Sequence, residues 1–74
     1  MDNPDADVGA RLRDLRLHAG LSLRALGDRT GLSPSFLSEV ENGRRGLGAG
    51  SLLRLCRVLG ASMDWVMTGE EYRP

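Results

Sequence analysis

LRALGDRTGLSPSFLSEVEN, residues 23–42, is the stretch on which the fold turns. Ser22 stands before it as a helix-capping side chain, and LRALGDRT gives two helical turns ending at Gly31. Ser33 then caps a third segment, roughly residues 34–41, with Pro34 at its first position, where a missing N–H costs nothing. Two short helices that cross steeply over a turn this brief must satisfy several demands at once. The point where they touch needs a residue without a side chain, and Gly27 stands there. The turn needs a positive φ, which Gly31 supplies without strain. Leu26, Leu32, Leu37 and Val40 are the apolar anchors that pin both helices inward.

Moving upstream, Val8, Leu12, Leu15 and Ala19 recur at steps of four, three and four, the spacing of one helical face, and Gly20 closes the segment. Leu17 falls off that stripe and is expected to be half exposed. MDNPDAD, residues 1–7, is acidic and holds Pro4, so it is expected to be a flexible arm. Downstream, Asn42-Gly43 stops the third helix, and RRGLGAGS forms a glycine-rich loop. Ala49, Leu52, Leu53, Cys56 and Leu59 mark a fourth amphipathic helix that Gly60 ends; Ser62 caps a short fifth, MDWVMT, that Gly69 ends. No internal repeat and no strand-like alternation is present. The expectation is an all-α cluster of five helices: an arm at 1–7, a domain at 8–69 and a short tail at 70–74.

A chain of 74 residues buries only about 60% of the surface its unfolded form exposes. Such a domain has little material for a deep catalytic cleft, whereas presenting one helix to a partner is easy, so a binding function is expected and an enzyme is not. The net charge of zero conceals a division. Residues 8–60 hold nine arginines against four acids, while Asp2, Asp5 and Asp7 make the start acidic and Asp64, Glu70 and Glu71 outweigh Arg73 at the end. All ten basic residues are arginine, which suits bidentate contacts to phosphate or guanine and equally suits a GC-rich genome. Cys56 is the lone cysteine and cannot form an internal disulfide, so a reducing cytoplasm is the expected compartment. No apolar run approaches the roughly 20 residues that cross a bilayer.

With these residues in place, the sequence resembles the Cro and lambda-repressor (Xre) type of bacterial and phage helix-turn-helix regulator. The likeness runs from about residue 8 to 69, through LRDLR, GLSLRALGDRTGLSPSFLSEVENGRR, LLRLCRVLGAS and DWVMTG. It implies a five-helix DNA-binding domain whose third helix enters the major groove. By position it places Pro34, Ser35, Phe36 and Glu39 against base edges. Ser35 suits several bases, Glu39 accepts from cytosine N4 and Phe36 touches a thymine methyl; the alternatives are a core Phe36 and a solvated or salt-bridged Glu39, with Arg29 or Arg44 as its neighbour. Ser22, Arg24, Ser33, Asn42, Arg44 and Arg45 are the expected phosphate contacts, helped by the helix N-termini. The glutamine that often follows the second helix's cap in the family is Leu23 here, and Arg24 is expected to take over its phosphate. The family often joins the positions of Arg16 and Glu41 by a salt bridge; the other reading is a loose surface pair.

Other conspicuous residues read quietly. His18 has no ligand partners, so no metal and no cofactor are expected, and Cys56 falls on the apolar stripe of the fourth helix. Trp65, Val66 and Met67 are candidates for a self-complementary contact. The function expected is a transcriptional regulator, a repressor sooner than an activator, that reads a palindromic double-stranded operator as a homodimer. The rival reading is an interaction module, an antitoxin or adaptor, using Phe36, Leu17 and Trp65 on a protein partner.

Overall fold

A computed structural model of the protein describes residues 3–70. Five helices follow one another: α1 (Pro4–His18), α2 (Leu23–Thr30), α3 (Pro34–Glu41), α4 (Ala49–Leu59) and α5 (Met63–Thr68). The expected flexible arm is corrected over residues 4–7, which form the first turn of α1. Asn3 caps that turn by accepting from the Ala6 N–H at 3.3 Å, Pro4 occupies its first position, and Asp5 and Asp7 sit where the helix dipole favours negative charge. Met1, Asp2 and residues 71–74 of the expected tail lie outside the described residues.

Every helix contributes to one core: Leu12 from α1, Leu26 from α2, Leu37 and Val40 from α3, Leu52, Leu55 and Cys56 from α4, and Val66 from α5. Three stripe positions differ from the sequence reading, among them Ala49, exposed at the first position of α4. Ala19 is exposed, because it is the C-cap of α1 and lies beyond its packed face. On α4 the buried leucine is Leu55, 1% exposed, while Leu53 is 39% exposed. Both leucines lie beside the Leu52–Cys56 row, and only the contacts with α1, α2 and α5 decide which side turns inward.

The pair α2–α3 is built around its turn. Gly31 sits at φ +77°, and a Cβ on Gly27 would lie 2.6 Å from the Leu32 carbonyl oxygen, so both positions are closed to larger residues. Buried Thr30 ties the turn internally: its hydroxyl donates to the Leu26 carbonyl at 2.8 Å and accepts from the Leu32 N–H at 3.3 Å. Arg54 of α4 reaches the Thr30 carbonyl at 3.4 Å. α3 packs on α2 and on α1, leaving its N-terminal end outward.

Candidate nucleic-acid interface

The outward helix is held from its far end. Arg16 of α1 meets Glu41 in a two-pronged pair, Nε to Oε2 at 2.7 Å and Nη2 to Oε1 at 2.9 Å, while Nη1 donates to the Leu21 carbonyl at 2.9 Å. The side chains are only 11% and 6% exposed, so the geometry is that of a desolvated pair and not of a loose surface one. The Glu41 hydrogen bond is the main reason Arg16 is held above the usual arginine range, with the Coulombic attraction adding to it and burial opposing. A second device is Gly9, buried on α1, where any Cβ would overlap the Val40 carbonyl oxygen. α1 and α3 thus touch backbone to backbone, and the Arg16–Glu41 fork fixes the angle between them.

At the opposite end of α3, Pro34 and Ser35 are exposed and Phe36 and Glu39 are partly so, while Leu37 and Val40 turn into the core. Ser33 accepts from the Phe36 N–H at 3.1 Å and Ser22 from the Ala25 N–H at 3.0 Å. Among the described residues neither hydroxyl donates a hydrogen bond, and each stands beside a positive helix end. Ser33, Ser35, Phe36, Glu39 and Arg45 line one open concavity of about 470 Å³ together with Gly31 and Leu32. Glu39 is paired, but with Arg45 at 2.8 Å, which corrects the expectation of Arg29 or Arg44. Arg45 belongs to the loop after α3, which carries its guanidinium back over the Phe36 ring, 5.8 Å from the centroid. Phe36 packs against the core with part of its ring left open, so the two readings of it merge.

Arg24 and Arg44 are exposed, and Asn42 donates from its side chain to the Ser38 carbonyl at 2.8 Å. Leu23 packs on the core edge, and beside it Arg13, Ser38 and Asn42 border a smaller concavity around the Arg16–Glu41 pair. Arg13 escaped the sequence reading because nothing in the spacing of α1 distinguishes it from its arginine neighbours. Thr30 and Gly9 were missed for a different reason, since each is read only from what touches it across another helix. Arg11 likewise had no local signal; it donates from Nη1 to the Val66 carbonyl at 3.1 Å and ties α1 to the end of α5. Val66 itself is fully buried and is withdrawn as a dimer candidate: the core claims its side chain, leaving half-buried Trp65 and exposed Met67 on that helix.

A family model described as a helix-turn-helix domain matches residues 7–66. The chain belongs to the helix-turn-helix family. Within that family it is similar to the clp gene regulator ClgR of Corynebacterium glutamicum, with a TM-score of 0.82, 38% identity and coverage of 86% of this chain and 82% of that one. It also superposes on the P22 c2 repressor in complex with a synthetic operator, with a TM-score of 0.81, 28% identity, and coverage of 85% and 96%. The TM-scores show that this chain's five-helix arrangement shares its fold with a gene regulator and with a repressor. Curated relatives are the regulator RamB of Mycobacterium tuberculosis, 35% identical over 66 residues, and a propionyl-CoA carboxylase regulator of Cereibacter sphaeroides, 34% identical over 66. Those 66 residues are 89% of this helix-turn-helix chain and 14% of either relative. The relatives are regulators and not enzymes.

Proposed function

We propose that this domain is a sequence-specific, double-stranded DNA-binding transcriptional regulator of the repressor type, reading a palindromic operator with α3 in the major groove. The observation that carries this reading is the placement of α3: braced at its C-terminal end by Arg16–Glu41, capped at its N-terminal end by Ser33, and open to solvent along Pro34, Ser35, Phe36 and Glu39. A rigid helix with a polar, outward N-terminal end is what base-edge reading requires. Ser22, Arg24, Ser33, Asn42, Arg44 and Arg45 supply the phosphate contacts around it, and Arg13 joins them beside Leu23. The P22 c2 repressor, solved with operator DNA, supports the docking geometry by likeness.

The domain acts in the cytoplasm as a homodimer, whose recognition helices reach successive major grooves about 34 Å apart. Met67, 53% exposed, and Trp65 on α5 are the contacts we assign to that dimer. Occlusion of polymerase needs binding alone, which favours repression. Selection of bound sequences from a random duplex pool tests the whole reading. An inverted repeat with half-sites one helical turn apart is the expected product; a pool that stays random at moderate salt would remove it and favour a protein partner instead.

A further inference from the structure

Glu39 is a carboxylate on the face assigned to DNA, where phosphates repel it, and its pairing is with Arg45 from the following loop. That arginine is itself restrained, because its guanidinium lies over Phe36, 5.8 Å from the ring centroid. All three side chains line the same open concavity at the N-terminal end of α3, beside Ser33 and Ser35. The contact joins Nε of Arg45 to Oε2 of Glu39, and both side chains stay open to solvent, 59% and 47% exposed. Among the described residues neither side chain makes a hydrogen bond or ion pair with a third residue, so the rest of each polar head faces the concavity.

We propose that Arg45 is the positioning residue for base selection by Glu39: it holds the carboxylate so that Oε1 meets cytosine N4, while its Nη donors take the adjacent phosphate. This rests on the reading of α3 as the helix that enters the groove. The physical need is clear. A lone acceptor on a flexible side chain discriminates poorly, because several rotamers reach several edges, and a carboxylate without a counter-charge is pushed out of the groove. Arg45 removes both difficulties at once, and the Phe36 ring restrains the guanidinium that does so. The loop arginine therefore carries sequence information through Glu39, in contrast to Arg44, which carries charge alone.

The experiment starts from the half-site selected by the unaltered protein and measures affinity for every single base-pair change, with Glu39→Ala, Arg45→Ala and Arg44→Ala in parallel. Cytosine preference at one base pair should be about tenfold in the unaltered protein and fall below about twofold in both Glu39→Ala and Arg45→Ala. Arg44→Ala should weaken all sequences alike and keep the preference, and the double variant Glu39→Ala/Arg45→Ala should be no flatter than Arg45→Ala. If Arg45→Ala weakens binding as Arg44→Ala does but keeps the cytosine preference, Arg45 is only a charge and the proposal fails. If Glu39→Ala keeps that preference, the carboxylate reads nothing and the proposal fails too. An unaltered protein with no base preference anywhere would overturn the DNA-reading function itself, a separate and visible result.

Discussion

At the scale of single residues, the Arg16–Glu41 pair decides more than any other contact outside the apolar core. With both side chains nearly buried, loss of either partner strands a charge, so Arg16→Ala should lower folding stability by about 3 kcal/mol in chemical denaturation. Replacing both, Arg16→Met with Glu41→Leu, should cost less than the single change, since no unpaired charge then remains; a larger loss would mean that the pair is worth more than its desolvation penalty. Cys56 offers a second check. Burial raises its thiol above the usual cysteine range, and the side chain belongs to the buried apolar cluster that all five helices build. Its modification by a thiol reagent should follow global unfolding, and stability should decline as pH rises through the ordinary thiol range, where only the unfolded chain ionises. Rapid labelling under native conditions would contradict the packing. These residues also mark the limit of what sequence discloses. Glu39 could be read as an acid needing a counter-charge, but choosing Arg45 over Arg44 required the path of a glycine-bounded loop, which no local spacing encodes.

Helices and turns were more legible, because their signals are local. Ser22, Ser33 and Ser62 announce three helix starts, and each accepts the N–H three residues on. The α2–α3 turn was readable through Gly27 and Gly31, whose requirements come from neighbours a few residues away. The start of α1 was misread because acidic composition outweighed a proline at the first helical position behind an asparagine cap; the buried side of α4 was misread because two leucines flank the same row. Contacts between distant elements were invisible, Gly9 above all. Gly9→Ala must push α1 away from the Val40 backbone, and Gly27→Ala must open the helix-turn-helix crossing against the Leu32 carbonyl. Each should destabilise by about 1–3 kcal/mol, the range for forcing extra atoms into a packed contact, as read by the thermal midpoint. Gly50→Ala, inside α4 with open space around its Cβ, is the matched control and should leave the midpoint within a few degrees. Equal effects at all three positions would refute the close approaches.

Over the whole molecule the distribution of charge matters more than its sum of zero. The loop after α3 carries Arg44 and Arg45; of the acids, Asp5 on the first turn of α1 lies against that same loop at Gly46, while Asp64 and Glu70 lie on or after α5. About four to six phosphates neutralised per subunit should give log affinity against log salt a slope of about −4 to −5 for one subunit, and about twice that for a dimer. Fluorescence anisotropy at several salt concentrations reads that slope directly. Met67→Glu separates its two sources: a charge placed on the exposed part of α5 should abolish dimerisation in sedimentation, reduce the slope to that of one subunit, and leave the fold intact because Met67 is 53% exposed. A slope unchanged by Met67→Glu, with dimers still present, would move the contact surface away from α5. A slope shallower than about −2 in the unaltered protein would mean that the arginines around α3 do not meet a phosphate backbone as a set, since so few released ions correspond to barely two contacts.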